Sequence, residues 1–445
     1  MTHQKSIFWS LLSRSITYVF ILAQGMIVAR LIGPEGKGIQ AKLMASASFF
    51  IFFFDFGVSN SINYFFSQKK ISFDLTRKIL KIIVSLQLLL SFGVLALLNI
   101  PVLNIFFMPG NHVDTFFIWY IIATIFFDTT RLSLNSFIMA SMKFKWINWS
   151  EIAQAFFRLA CYLFLFFLPR SSPVLHIVIA IDLGANLMGF LGLFLLHLKI
   201  KKPLSEVETP VKDLYKFSLL NLILKYSFPL FLSNIVIYLN TRMDYWAIEK
   251  VHGLESLGYY SVANSGAQLL TIVPAIIGAV IFSYMNQLQD DQKLHFFGFY
   301  SRLNFSLLLS VAGLCIVAAP LIIPMMFGTR FNESIELFQM LAIVATLQSY
   351  KYLLGIFLQS VDKNKLRLTG DVFALIINII FLYPIIKYFG LRGAAALLFV
   401  GHVISIAYIH YSLRHSHLKN ASLFFIRRAE LKTVFSIDNI FKLSR

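Results

Sequence analysis

The sequence has 445 residues, of which 58% are hydrophobic and only 13% are charged, and its mean hydropathy is +0.74. A soluble domain carries about 25% charged residues, so this composition excludes a soluble enzyme or binding domain and indicates a surface that faces lipid. The formal net charge is +18, but the basic residues lie mostly between apolar runs. That distribution is typical of cytoplasmic loops in a membrane protein and argues against nucleic-acid binding.

Twelve segments are apolar and long enough to cross a bilayer, which takes about 20 residues. Runs of this length satisfy their backbone hydrogen bonds in lipid as helices, so the sequence predicts an all-α membrane protein. The first run is followed by many similar ones and is therefore interpreted as a retained span, not a cleaved signal. The predicted spans are 7–29, 40–66, 78–100, 115–141, 149–168, 173–197, 219–241, 258–285, 298–327, 337–361, 367–388 and 393–413.

The longest polar connection, 199–216, divides the predicted spans into two sets of six. It predicts an N-terminal six-helix bundle (1–205), a C-terminal six-helix bundle (206–413) and a basic cytoplasmic tail (414–445). Lys and Arg are concentrated in alternate connections and in the tail, which places both termini in the cytoplasm. Six-plus-six organisation is common in secondary transporters, whose substrate site lies where the halves meet.

Six cations lie inside predicted spans, where a charge costs at least about 2.5–3.5 kcal/mol and normally faces protein or water. Arg14 of span 1 is expected to match Lys225 of span 7 in depth, and Arg131 of span 4 to match Lys351 of span 10. These four should converge in a water-filled cleft between the bundles, which suits an anionic substrate head. The full set of candidate ligands for that head is Arg14, Arg131, Arg158, Lys225, Arg302 and Lys351.

Other interpretations stay open for some of these cations. Arg14 and Arg302 lie close enough to the cytoplasmic ends of their spans to extend toward the surface, and for Arg302 this interpretation is favoured. Arg131 follows Asp128 by three residues, which allows an internal salt bridge on one helix face. Internal pairing is an alternative for Arg158 as well.

Polar side chains accompany the cations at helical spacing. We expect amides to offer hydrogen bonds to sugar hydroxyls; the candidates are Gln24, Asn60, Asn63, Asn264, Gln268 and Gln348. Buried acids are candidates for ion coupling; they are Asp55, Asp128 and Asp182. Pro229 and Pro274 interrupt their spans and are candidate hinges.

No motif supports catalysis or a cofactor. The Walker A, G-x-G-x-x-G, H-E-x-x-H and C-x-x-C patterns are absent from the sequence, so no nucleotide or metal site is indicated. The two cysteines, Cys161 and Cys315, have no metal-ligand spacing and are interpreted as packing residues. The chain is therefore expected to be a transporter without catalytic residues or cofactors.

Four short motifs resemble those of one membrane-protein family. Residues 29–38 (ARLIGPEGKG) resemble the A-R-x-L-G-P-E-x-x-G loop after span 1, and residues 55–57 (DFG) resemble a recurrent D-F-G in span 2. Residues 257–263 (LGYYSVA) and 390–396 (GLRGAAA) resemble the x-G-x-Y-x-x-A and G-x-x-G-A-A stretches around spans 8 and 12. The ordered set identifies the chain as a member of the Wzx-type O-antigen and capsule repeat-unit flippases. The broader superfamily also holds multidrug exporters and peptidoglycan lipid flippases.

The resemblance implies two pseudosymmetric six-helix bundles around a central cationic cavity, working by alternating access. It implies that an undecaprenyl-pyrophosphate-linked oligosaccharide moves from the cytoplasmic to the periplasmic leaflet of the bacterial inner membrane. The implied partners are this lipid-linked substrate, the bilayer, a polysaccharide polymerase and a chain-length regulator. Two alternatives stay open: a cation-coupled multidrug exporter, which the excess of buried cations disfavours, and a membrane-bound glycolipid polymerase or ligase, which the short periplasmic links disfavour.

Overall fold

A computed structural model describes residues 3–67, 71–110, 114–141, 143–168, 174–200, 216–285, 288 and 290–413. Within these ranges the regular secondary structure is helical and no strand occurs. The predicted all-α membrane class is confirmed, and the chain is a multi-pass membrane protein. The predicted basic tail and most of the 199–216 connection lie outside the described residues.

The helices follow one another with short connections. In chain order they are α1 (His3–Asp55), α2 (Val58–Ser67), α3 (Phe73–Leu98), α4 (Pro101–Phe107), α5 (Thr115–Ala140), α6 (Phe144–Phe167), α7 (Val174–Lys199), α8 (Lys216–Gln268), α9 (Ile272–Met285), α10 (Asp290–Phe327), α11 (Ser334–Ser360) and α12 (Asn364–Leu413). Single 3-10 turns occur at Leu269–Thr271 and Thr329–Phe331. The apolar faces of the long helices supply the lipid-facing surface that the composition requires.

Within the described ranges, nine helices are long and apolar enough to cross a membrane. Three of them, α1, α8 and α12, contain 53, 53 and 50 residues, more than twice the length of about 20 residues that one crossing needs. Each is interrupted by a glycine with non-helical dihedral angles: Gly33, Gly253 and Gly390. The count of twelve spans stays a prediction, and it requires each of these three helices to cross twice with the glycine at the bend.

The bends in α1 and α8 share the pattern G-x-E-x-x-G, which begins at Gly33 and again at Gly253. Both first glycines have positive φ, 67° and 84°, which only glycine adopts without a steric penalty. The last glycines, Gly38 and Gly258, lie where the two helices touch. A Cβ on Gly38 would lie 1.8 Å from the Leu254 carbonyl oxygen, and one on Gly258 would lie 1.9 Å from that of Pro34. The pattern therefore produces both a bend and a backbone-to-backbone helix contact.

The same spacing of 220 residues, from Gly33 to Gly253, relates other equivalent positions in the two halves. It carries Arg131 of α5 onto Lys351 of α11, as predicted from depth, and it carries Glu151 onto Asp371. The predicted match of Arg14 with Lys225 does not follow this register, which instead pairs Lys225 with residue 5. The predicted match was counted from the first apolar residue of each span. These starting points are not equivalent in spans 1 and 7, so the match of Arg14 with Lys225 was wrong by this register.

The chain forms two compact units, Met1–Gly258 and Tyr259–Arg445, and α8 continues from the first into the second. In the first unit α1 packs against α5, α6 and α7, and α5 is the most buried membrane helix. In the second unit α11 packs against α9, α10 and α12 and is likewise the most buried. The division at 205 and 206 stays a prediction. The helices that carry Arg131 and Lys351 are thus the central helices of their units.

The D-F-G triplet separates α1 from α2. Phe56 and Gly57 both have positive φ, 47° and 70°, which ends the first helix. The Phe56 ring stacks on Phe231 of α8 with centroids 4.5 Å apart, and a Cβ on Gly57 would lie 2.7 Å from the Ser227 carbonyl oxygen. This break in the helix therefore lies beside the part of α8 that contains Pro229, one of the two predicted hinges.

Candidate functional site

The N-terminal unit encloses a cavity of about 600 Å³ between α1, α5, α6 and α7. Its charged lining residues are Arg14, Asp128, Arg131, Glu151, Arg158 and Asp182. Neutral polar groups complete the wall, among them Gln24, Gln154, Asn186 and Tyr18. Helical spacing predicted that Asp128 and Arg131 share one face of α5, and the packing of the four helices brings this face to the cavity.

Asp182 of α7 links three helices at one side of the cavity. Its Oδ1 lies 3.3 Å from Arg158 Nε and accepts a hydrogen bond from the Tyr162 hydroxyl at 2.6 Å. Its Oδ2 accepts from Gln40 Nε2 at 2.8 Å, and Gln40 Oε1 in turn accepts from Lys37 Nζ at 2.8 Å. The sequence predicted a polar role for Asp182 but missed Gln40 and Tyr162, because these partners lie on other helices.

Gln154 of α6 links Arg131 to Arg158 by way of Asn186. Its Oε1 accepts from Arg131 Nη1 at 2.6 Å, and its Nε2 donates to Asn186 Oδ1 at 3.2 Å. Asn186 Oδ1 also accepts from Arg158 Nη2 at 2.8 Å. Gly189 leaves space for these hydrogen-bonded amides, because a Cβ there would lie 2.8 Å from Gln154 Oε1. The amides therefore hold both guanidinium groups at fixed positions in the wall.

Two of the three arginines also have acidic partners. Arg158 pairs with Asp182, and Arg131 Nη2 lies 3.6 Å from Asp128 Oδ1, the salt bridge that the spacing allowed. Arg14, by contrast, is exposed in the cavity and makes no hydrogen bond or ion pair within the described part of the chain. Arg14 is therefore the cation of this lining that is available to a ligand. Gln24 lies further along α1, and its Nε2 donates a hydrogen bond to the Ala155 carbonyl oxygen at 2.7 Å.

The lining has three guanidinium and three carboxylate groups, so its charge is mixed and not uniformly cationic. An excess of cations was expected because the predicted spans hold six cations but only four acids, Asp55, Asp128, Glu151 and Asp182. Only three of those six cations line this cavity, whereas three of the acids do. Residue spacing could not show that Glu151 and Arg14 share a cavity, because the two residues are 137 positions apart in the chain and lie on different helices.

The C-terminal unit contains a second buried charge pair. Lys351 Nζ lies 2.5 Å from Asp371 Oδ1, and the Ser405 hydroxyl donates to the same oxygen at 3.1 Å. Asp371 is 1% exposed. Lys351 had no acid nearby in sequence and was expected to be available to substrate. In the structure its charge is balanced by an acid 20 residues later, on α12.

Three of the predicted sugar-binding amides come together in the C-terminal unit. Gln268 Nε2 donates to Gln348 Oε1 at 3.0 Å and approaches Asn264 Oδ1 at 3.5 Å. Gln348 and Lys351 lie on the same helix, three residues apart, so this amide cluster and the charge pair share a side of α11. Pro274, the second predicted hinge, lies buried in α9.

The remaining candidates are elsewhere. Lys225 is exposed on α8 and does not line the N-terminal cavity, and Arg302 is a buried, partnered residue of α10 rather than one extended toward solvent. Asp55 is buried and accepts a hydrogen bond from the Ser59 hydroxyl. Asn60 is exposed and Asn63 is half-buried on α2. Of the predicted site residues, Arg14, Arg131, Arg158, Gln24, Asp128 and Asp182 therefore line one cavity.

Solved structures share this architecture. The chain superposes on the lipid II flippase MurJ in an inward closed conformation with a TM-score of 0.71, 14% identity, and coverage of 98% of this chain and 91% of MurJ. It superposes on an inward-facing multidrug resistance MATE family transporter of the MOP superfamily with a TM-score of 0.70 and 14% identity, covering 93% and 99% of the two chains. These similarities establish a common fold.

Two curated relatives are similar over part of their length. The lipopolysaccharide biosynthesis protein WzxC of Escherichia coli K12 is 29% identical over 154 residues, which cover 32% of this chain and 29% of WzxC. A membrane protein encoded in the cps region of Klebsiella pneumoniae is 24% identical over 224 residues, 49% of this chain and 46% of that protein. The chain thus spans less than half the length of each of these relatives.

The family model for polysaccharide biosynthesis proteins matches residues 4–289, which is more than half of the chain. This stretch includes all the helices that form the cavity. Together with the similarity to WzxC it confirms the predicted Wzx-type resemblance. The chain belongs to the polysaccharide biosynthesis protein family.

Proposed function

We propose that the protein moves an undecaprenyl-pyrophosphate-linked oligosaccharide from the cytoplasmic to the periplasmic leaflet of the bacterial inner membrane by alternating access. The observation that carries the proposal is the free guanidinium of Arg14 in a membrane-embedded cavity that also presents Arg131 and Arg158. Arginine matches phosphate oxygens with paired hydrogen bonds and stays charged at every relevant pH. A substrate with a pyrophosphate would thus bind first at Arg14.

Amides and hydroxyls near the arginines suit a sugar chain. In the N-terminal cavity these include Gln24 and Asn186, and the cluster of Gln268, Gln348 and Asn264 supplies a second set in the C-terminal unit. Asn60 and Asn63 are further candidates on α2. In this proposal the prenyl tail stays in the lipid while the polar head crosses.

The other predicted residues have supporting roles in the cycle. Lys225, Lys351 and Arg302 would approach the head during passage, and Asp55, Asp128 and Asp182 would couple the movement to an ion. Pro229 and Pro274 would flex as one access route closes and the other opens. A polysaccharide polymerase and a chain-length regulator would act on the delivered product in the periplasm, and both chain termini would lie in the cytoplasm.

The test replaces Arg14 by alanine in a bacterial strain that lacks its own flippase. We expect surface polysaccharide to fall at least about tenfold, because one charge-assisted contact to phosphate is worth about 1.5–3 kcal/mol. Arg392→Ala is the matched control, since Arg392 forms an exposed pair with Glu336. Full activity of the Arg14→Ala protein at normal expression would disprove the assignment of this cavity.

A multidrug exporter is the second candidate. The three carboxylates in the same cavity favour it, because they suit the cationic compounds that such exporters commonly carry. Overexpression in a drug-sensitive strain separates the two functions: an exporter raises resistance to cationic drugs and does not restore polysaccharide, whereas a flippase does the reverse.

A further inference from the structure

Glu151 of α6 faces the cations of the cavity without being fixed to any of them. It is exposed in the lining, and the field of Arg131 and then that of Arg14 acts on its carboxylate. Within the described residues it makes no hydrogen bond and no ion pair. The lining therefore contains a free carboxylate and a free guanidinium, Arg14, in the same space.

The other two acids of the lining are occupied. Asp182 holds Arg158, Tyr162 and Gln40. Asp128 lies beside Arg131 on the same helix, and this spacing keeps the two together wherever α5 moves. An anion that took the place of Asp182 would break contacts between helices, and one that took the place of Asp128 would break the salt bridge within α5. An anion that took the place of Glu151 would break no hydrogen bond or ion pair among the described residues.

The internal repeat gives a second, independent view of this position. The spacing of 220 residues carries Arg131 onto Lys351 and Glu151 onto Asp371. In the C-terminal unit these two residues form an ion pair, with 2.5 Å between Lys351 Nζ and Asp371 Oδ1, and Asp371 is buried. Both units therefore have a carboxylate at this position and a cation at the equivalent position of the central helix. Only in the N-terminal unit is the carboxylate free to move away.

We propose that Glu151 is the internal counter-ion of the substrate site. In the empty cavity its carboxylate offsets part of the positive charge of Arg14 and Arg131, and the phosphate oxygens of the substrate take its place beside these two arginines. The inference rests on the proposed function, because it assigns the anion that competes with Glu151. When the head leaves, Glu151 returns to the arginines and helps to release it.

The direction in which ligand binding changes when Glu151 is replaced distinguishes a counter-ion from a structural residue. Loss of a side chain that holds the fold weakens ligand binding, whereas loss of a competing anion strengthens it. Removing one of three carboxylates from a lining with three guanidinium groups leaves one cation in excess. Since charges a few ångströms apart interact strongly in a partly buried site, we expect anion binding to tighten about tenfold or more.

The experiment titrates undecaprenyl pyrophosphate into the purified full-length protein in detergent and measures binding by native mass spectrometry. We expect Glu151→Gln to bind about tenfold or more tightly than the wild type, and to restore less surface polysaccharide because release is slower. Glu151→Asp keeps the charge and should bind close to the wild-type level. Glu336→Gln, at an exposed position, is the matched control and should leave binding unchanged.

The same titration includes Arg14→Ala. Unchanged or weaker binding by folded Glu151→Gln would overturn the counter-ion role, while weaker binding by Arg14→Ala would leave the proposed function standing. If Arg14→Ala binds as tightly as the wild type, the pyrophosphate site itself is disproved. If Glu151→Gln does not fold, Glu151→Asp decides, because a structural carboxylate with altered reach would lower binding and a counter-ion would preserve it.

Discussion

The ammonium of Lys42 and the carboxylate of Glu249 form an ion pair between residues 207 positions apart in the chain. Lys42 is 1% exposed and Glu249 is 10% exposed. Glu249 Oε1 also accepts the Gly110 backbone N–H at 2.9 Å, and the Lys42 ammonium lies 6.0 Å from the centre of the Trp246 ring. The pair thus ties α1, α8 and the turn after α4 together close to the two glycine bends.

Removing one partner of this pair should be costly. Lys42→Met leaves the Glu249 carboxylate buried and unpaired, which typically destabilises a protein by about 3–5 kcal/mol. The double variant Lys42→Met with Glu249→Gln removes both charges and keeps an oxygen for Gly110. We therefore expect the single variant to lower the unfolding temperature in detergent and the double variant to recover most of the loss. Equal unfolding temperatures for the single variant and the wild type would contradict the importance of this pair.

Gly189 offers a test of the amide chain in the cavity wall. In Gly189→Ala the new Cβ would lie 2.8 Å from Gln154 Oε1, so Gln154 must shift and its contact with Arg131 weakens. We expect polysaccharide transport to drop severalfold while expression stays near normal. Gly184→Ala on the same helix is the control, because a Cβ there meets no atom within 4 Å. Indistinguishable transport by the two variants would show that the amide chain is unimportant.

The helix contact at the bends makes a separate prediction. Gly258→Ala places a Cβ 1.9 Å from the Pro34 carbonyl oxygen, so the two backbones must separate. Forcing atoms into a packed contact costs about 1–3 kcal/mol, and we expect a clearly lower unfolding temperature. Gly25→Ala, with no atom within 4 Å of the new Cβ, should be neutral or should stabilise α1 by up to about 1 kcal/mol. Comparison of thermal unfolding for the two variants decides the point.

Residue spacing along single helices predicted much of the candidate site. It placed Arg14 and Gln24 on one face of α1, and Asp128 and Arg131 on one face of α5, and the structure brings these faces to the same cavity. A helix has a fixed period, so the polar face of each span is determined locally. The central position of α5 and α11 likewise agrees with the predicted equivalence of Arg131 and Lys351.

Residue spacing along single helices could not predict the contacts between helices. Lys351 appeared free because Asp371 is on another helix, and the link from Asp182 to Gln40 spans 142 positions. The register of 220 residues is visible in the sequence once the two G-x-E-x-x-G patterns are aligned. It would have identified Glu151 and Asp371 as equivalent positions and separated Arg14 from Lys225.

The equal numbers of positive and negative groups in the N-terminal cavity have an electrical consequence for the proposed cycle. With all six groups ionised, the empty cavity carries no net charge when it changes access, so the voltage across the membrane does no work on that step. The loaded step carries the negative head outward from a cytoplasm that is itself negative. Each charge moved across the full bilayer gains about 2.3 kcal/mol per 100 mV, so the resting voltage alone would favour export and would leave the return unopposed.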